Sequence, residues 1–394
     1  MINQRRLVET FKNLVRIDSL SLREKKIITF LKNELRSLAL SSYEAGKPKN
    51  GEVGSLVAEI PGVGLKSPRL LINAHVDTVS PGENIKIVAK GGHLTSAGET
   101  ILGADNKAGV AVILELLRVI KEKRLSHPPL VVVFTVAEEI GLVGARALPK
   151  SLIDADFGIT LDGGDIDKII CSAPTQYNIT AKIIGKAAHA GIHPEAGINA
   201  ITVAAKAIAK MKLGRIDKET TANIGIIKGG RATNIIPEEV EIKGEARSHD
   251  QRKLERQLKH LEAVLRSACD QTGARLDLKI EEVYQAFAVN KSNEVLKLAV
   301  CAARKNGLKP KLVPTGGGSD ANIFNARGIP TIIMGVGADR VHTTSERIAV
   351  KDLVKGAEMV LTLIGECAAC RPDCEHRFPP DSRHAHPGMF RPAR

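Results

Sequence analysis

Apolar residues recur at helical spacing from the start of the chain, with Leu7, Phe11, Leu14 and Val15 on one face of a predicted first helix. Ser21-Leu22-Arg23-Glu24 reads as a capping box that opens a second helix through Ile27, Phe30 and Leu31. Short continuous apolar runs follow at 55–60, 69–74, 130–136, 157–161 and, much later, 331–335, as expected of strands buried on both faces. A long helical pattern over about 107–123 separates the second of these runs from the third. Strand and helix alternate, which predicts an α/β sheet covered by helices.

The pattern changes near residue 176. A strand (177–185), a helix (196–211), two strands (221–228 and 240–247), a helix (251–269) and a strand (276–284) follow one another. That is the ferredoxin-like order βαββαβ, a unit complete in itself. The α/β pattern then resumes with a helix over 293–305, the 331–335 strand and a helix over 351–364. The expected organisation is one discontinuous α/β domain, residues 1–175 and 287–366, interrupted by an inserted ferredoxin-like domain, residues 176–286. Residues 367–394 are expected to be a disordered tail, since the stretch from Arg371 onward holds five prolines and few aliphatic residues. Cys367, Cys370, Cys374 and His376 could in principle furnish a small structural zinc site there.

A length of 394 residues suits two domains. With 43% hydrophobic and 26% charged residues the composition is that of an ordinary soluble protein, and no run of about 18 apolar residues exists to span a bilayer. The first 26 residues lack the apolar stretch of a secretory signal, and Cys171, Cys269 and Cys301 are scattered singly, so a cytoplasmic protein is expected. The net charge of +13 raises the question of a nucleic-acid partner. Basic residues alternate with acidic ones, however, as in Lys121-Glu122-Lys123-Arg124, and a chain with no Trp, three Tyr and eight Phe offers little base stacking. A solvated basic surface is the better account, one that also draws in anionic substrates.

The candidate chemistry sits where apolar runs end. The run 69–74 delivers His75-Val76-Asp77. His75 is either a metal ligand with Asp77 behind its second ring nitrogen or a structural, hydrogen-bonded histidine. Gly103-Ala104-Asp105-Asn106-Lys107-Ala108-Gly109 leads into the long helix, where Asp105 is either an N-cap or a carboxylate bridging two metals. The run 130–136 ends in Glu138-Glu139, two adjacent acids whose side chains point apart, so that one can bind metal while the other faces substrate. Asp162-Gly163-Gly164 ends the run 157–161, and His342-Thr343 follows the last strand. Two imidazoles and three carboxylates are the inventory of a pair of first-row ions about 3.5–4 Å apart. Mixed nitrogen and oxygen donors suit zinc, with manganese or cobalt as alternatives.

These segments, together with Gly317-Gly318-Ser319-Asp320, occur in the order found in the co-catalytic zinc exopeptidases that include peptidase T, carboxypeptidase G-type enzymes and aminoacylase. The chain resembles that family over roughly residues 1–366, and most of all its peptidase T-like branch. The resemblance implies that His75 and Asp162 hold one metal, Glu139 and His342 the other, and that Asp105 bridges them. It further implies Glu138 as general base, Asp77 as the partner of His75, and a cis peptide at Asp105-Asn106. In the inserted domain it implies that His189 is a lid residue aiding the oxyanion, often from a partner subunit, which calls for a homodimer. Asn234 in Gly229–Asn234, Gly318, and Arg247 as the partner of a substrate carboxylate would contact substrate; His189 as a plain loop residue and Arg247 as a solvated strand-end residue remain open alternatives.

The expected activity is aminopeptidase action on short peptides. An N-acyl-amino-acid amidohydrolase on the same fold is the alternative, and a non-catalytic binding protein is a further one.

Overall fold

In the computed structural model, which describes residues 1–369, the apolar runs form the middle of a nine-stranded sheet. Strands Leu130–Thr135, Leu70–His75, Phe157–Leu161 and Thr331–Met334 lie side by side in that order, all parallel. Every residue in these four is buried, which is why they read as unbroken apolar runs rather than alternating ones. Ser55–Ile60 pairs antiparallel with Leu130–Thr135. Helices Gln4–Val15, Ala104–Lys123, Glu294–Lys305 and Val350–Ala369 share one large core, into which Leu7, Phe11, Leu14 and Val15 all point. Val57, Leu71, Val131 and Val133 form a second core with Phe324, which belongs to the short helix Asp320–Ala326. No helix among the described residues is long and apolar enough to cross a membrane.

The inserted unit is a separate five-stranded antiparallel sheet with its own cores. Its long strands run in the order Thr220–Gly229, Glu239–Ser248, Thr175–Ile184, Arg275–Tyr284, with Gly214–Arg215 a two-residue addition on the Thr220–Gly229 side. The βαββαβ order is therefore the one expected. Where the chain crosses between the two units, the Thr175 hydroxyl accepts the Ala286 N–H at 2.8 Å. The Asn322 amide donates to the Gln285 carbonyl at 2.7 Å and to the Pro174 carbonyl at 3.3 Å. One buried side chain thus ties both crossings to the helix that follows the glycine loop 316–318.

Three expectations need correction. Ser21 and Glu24 form no capping box: the Ser21 hydroxyl donates to Asp77 at 2.6 Å, and Glu24 accepts the N–H groups of Leu22 (2.8 Å) and Ala137 (2.9 Å). Two side chains with local helix-start spacing are drawn instead to a strand end far along the chain. Residues 367–369, expected in the tail, belong to the helix Val350–Ala369, whose buried stripe Leu363, Ile364 and Cys367 continue. Of the candidate structural zinc ligands only Cys367 is therefore seen, packed in that core; Cys370, Cys374 and His376 lie outside the described residues. A four-stranded sheet of 338–339, 347–349, 93–96 and 87–90 was not expected, its strands being two to four residues long and partly exposed.

Candidate metal centre

Parallel strands align their carboxyl ends, so the segments following Leu130–Thr135, Leu70–His75 and Phe157–Leu161 open on one edge, the usual place for a ligand in such a sheet. His75 closes its strand with its ring buried. Its Nε2 is 3.1 Å from Asp105 Oδ1 and 3.9 Å from Asp162 Oδ1. From the opposite side His342 Nε2 lies 3.3 Å from Asp105 Oδ2 and 3.1 Å from Glu139 Oε1. The two oxygens of Asp105 therefore face two different imidazoles. Donor atoms of His75, Asp105 and Glu139 all fall within 4.8 Å of one another. The Asp105-Asn106 peptide is cis, as the resemblance implied.

The electrostatics are those of acids crowded out of water. Burial holds the Glu138 carboxyl well above its usual range; His75 pulls it back, while Asp162, Asp320 and Glu139 push it further. Asp162 is raised to about 8 by burial and then by the charge of Asp105. Burial works the same way on Asp105, yet hydrogen bonds from His342 and His75 hold it below its ordinary value. His342 rises to about 10 through hydrogen bonds to Asp105 and Glu139. The ion-pair partners of Asp105, Glu139 and Asp162 are imidazoles. Buried acids without enough hydrogen-bond donors are stable as anions only when paired with cations, so this donor set fits a divalent ion, and the division of oxygens on Asp105 fits two.

Three further acids brace the site. Asp77, fully buried, stands 3.4 Å from His75 Nδ1 and accepts the backbone N–H groups of Glu138 (3.0 Å) and Glu139 (3.2 Å). Glu24 accepts the N–H of Ala137, whose φ of 51° is an uncommon conformation for a residue with a side chain. Glu346, also fully buried, accepts three N–H groups: Leu102 at 2.8 Å, Gly103 at 2.7 Å and Asp105 at 2.9 Å. Neither Glu24 nor Glu346 was found by sequence reasoning. For Glu346 the only signal is an acid four residues past His342. Gly109 is also required, because a Cβ there would lie 2.4 Å from the Leu161 carbonyl oxygen.

The remaining expected residues stand apart from this cluster. His189 and Asn234 are exposed neighbours on the inserted unit, where Ala190 N–H bonds the Asn234 carbonyl at 3.0 Å. None of the hydrogen bonds or ion pairs described joins either side chain to the metal-type donors. Arg247 and Gly318 both lie at the seam between the units. The Arg247 Nη1 reaches the Gly316 carbonyl at 3.4 Å, and Gly318 lies so close under the Tyr284 ring that a Cβ would be 2.2 Å from its Cζ. Asp320, two residues on, accepts from Thr135 and, at 3.3 Å, from Asn73.

Residues 71–366 match the model of peptidase family M20/M25/M40. Of solved structures, the chain is similar to a tripeptidase of Staphylococcus aureus subsp. aureus Mu50, with 43% identity, a TM-score of 0.88, and 94% of this chain and 100% of that one covered. It is similar also to the aminopeptidase PepT of Bacillus cereus ATCC 10987, with 42% identity, a TM-score of 0.82, and 93% and 99% covered. The Bacillus subtilis (strain 168) protein YqjE is 42% identical over 371 residues, 93% of this chain and 100% of that protein.

Glu346→Ala leaves three backbone donors without their acceptor in a buried loop. At about 1–3 kcal/mol for each unsatisfied group, partly relieved by relaxation, the expected loss of unfolding stability is about 3 kcal/mol. Divalent-ion affinity should fall with it, because the loop that aims Asp105 is released. Denaturant unfolding and titration calorimetry check both; wild-type ion affinity in the folded variant would contradict the assigned role.

Proposed function

The chain belongs to peptidase family M20/M25/M40, and from that premise we propose that it is a metal-dependent aminopeptidase that acts on short peptides, tripeptides foremost. The observation that carries the reading is the meeting of His75, Asp105, Glu139, Asp162 and His342 beside Glu138 at one sheet edge. The tripeptidase and aminopeptidase among its relatives, at 43% and 42% identity over nearly the whole chain, support peptide substrates over N-acyl amino acids.

In this reading His75 and Asp162 would hold one ion, Glu139 and His342 the other, and Asp105 would serve both. Zinc is the proposed metal, with manganese or cobalt as alternatives. When bound there, such ions would supply Lewis acidity for a hydrolytic water and for the scissile carbonyl. Glu138 takes the proton of the attacking water and returns it to the leaving amine. Asp77, bonded to the Glu138 and Glu139 N–H groups and facing His75, keeps base and ligand in register. Arg247 receives the peptide's C-terminal carboxylate, for which its planar fork is suited, and Asn234 and Gly318 line the path of the substrate backbone.

Residues 176–286 act as lid and dimerisation domain. Strand Thr220–Gly229 supports this, since Gly214–Arg215 covers only its start, at Thr221 and Ala222, and no strand among the described residues pairs with its outer edge from Asn223 onward. Ile226 and Ile227, on that strand, and Ile201 are 42%, 50% and 40% exposed. A second copy paired along this edge would bury them. The partner subunit's His189 would then donate to the oxyanion of the reacting carbonyl.

Two experiments test these assignments. Protein loaded with zinc, manganese or cobalt should cleave free tripeptides, and Glu138→Gln should lower kcat by about 10²–10⁴-fold; cleavage confined to N-acyl amino acids would overturn the peptidase reading. Sedimentation equilibrium should give twice the 42.2 kDa chain mass, with Ile227→Asp shifting the protein to monomers. A monomeric wild type at micromolar concentration would remove the dimer, and the trans role of His189 with it.

A further inference from the structure

The fork that the proposed function reserves for a substrate carboxylate already holds one. Glu245 and Arg247 stand two apart on strand Glu239–Ser248 and so share a face. Arg247 Nε donates to Glu245 Oε1 and Nη2 to Oε2, both at 2.9 Å, the side-on two-bond geometry in which a guanidinium binds any free carboxylate. Gln176, the register partner of Arg247 on the next strand, donates to Glu245 Oε2 at 3.0 Å and steadies the pair from the side. Neither member is sealed off, the side chains being 26% and 33% exposed. The pair lies at the seam between the units: Arg247 touches the glycine loop at Gly316, and the Tyr284 phenol, packed on Gly318, feels the charges of Arg247, Glu245 and Glu138.

We propose that Glu245 is a specificity-determining residue: a resident counter-ion that competes with the substrate's C-terminal carboxylate for Arg247. This rests on the reading of Arg247 as the carboxylate receptor. A carboxylate arriving on the Nε edge must displace Glu245. One arriving on the outer edge of the guanidinium is repelled by it and meets a cation already neutralised. Either way Glu245 weakens binding of isolated carboxylates, such as free amino-acid products. A short peptide overcomes this because its other end is anchored at the same time, which makes the second contact intramolecular. Selection for a peptide of suitable length then comes from competition at Arg247 as much as from the reach of the cleft.

The test uses one tripeptide with a free C-terminal carboxylate and its C-terminal amide, and reads the ratio of KM for amide to KM for acid within each metal-loaded protein. In Glu245→Gln, which keeps the shape and one acceptor oxygen, the ratio should rise about fivefold over wild type, the scale of a partly exposed ion pair. Inhibition by a free amino-acid product should tighten in parallel. In Arg247→Ala the ratio should fall toward one. If Arg247→Ala leaves the ratio at its wild-type value, Arg247 is not the carboxylate receptor and both readings fail. If Arg247→Ala lowers the ratio but Glu245→Gln leaves it unchanged or lowers it, the receptor stands, and Glu245 aligns the guanidinium rather than competing for it.

Discussion

Like charges held together out of water are the constraint around which this protein is organised. Asp77, Asp105, Glu138, Glu139, Asp162 and Asp320, all buried or half-buried, converge on one edge of a parallel sheet. Two unit charges about 4 Å apart repel by about 4 kcal/mol at an effective dielectric of about 20, and carboxylate oxygens of Asp105 and Glu139 lie within 4.8 Å of each other. Imidazoles relieve part of this, but two histidines cannot neutralise six acids. Divalent cations bound among these donors would offset much of the remaining charge, and they would also supply the Lewis acidity that a metallopeptidase uses. The family to which the chain belongs and the charge balance of its cleft therefore point to one chemistry.

Holding such a cluster open for ions demands rigid backbone, and the protein builds that rigidity from further buried carboxylates. Asp77 grips the Glu138-Glu139 segment, Glu24 the residue before it, and Glu346 the loop that presents Asp105. Each accepts main-chain N–H groups, so that those buried donors are not left orphaned. Glu346 lies four residues past His342, so it ties the loops of two donor residues together across the sheet edge. Asn322 does comparable work at the seam, where both crossings between the units hang on one amide.

Four of the candidate residues were legible because each ends or follows a buried strand, and a buried strand announces itself as an apolar run. An acid or histidine at such a boundary, as at His75, Glu138, Glu139 and Asp162, contradicts the hydrophobicity before it. The inserted unit was legible for a related reason, its strands and helices having different periods. What stayed hidden depends on partners distant in sequence. Glu24 carries the local signature of a helix start, yet beside Leu22 it also holds the distant Ala137 N–H. Nothing near Glu346 hints at Asp105. The short strands 87–90 and 338–339 bury too little to leave a pattern. Arg247 was visible as a candidate, whereas its occupation by Glu245 required coordinates.

The most direct test of the account is anomalous diffraction from crystals of zinc-loaded protein, collected on both sides of the zinc edge. The account predicts two anomalous peaks about 3.5–4 Å apart flanking the Asp105 carboxylate, one beside His75 and Asp162 and the other beside Glu139 and His342. Zinc bound elsewhere in the chain, with no peak between His75 and His342, would contradict it.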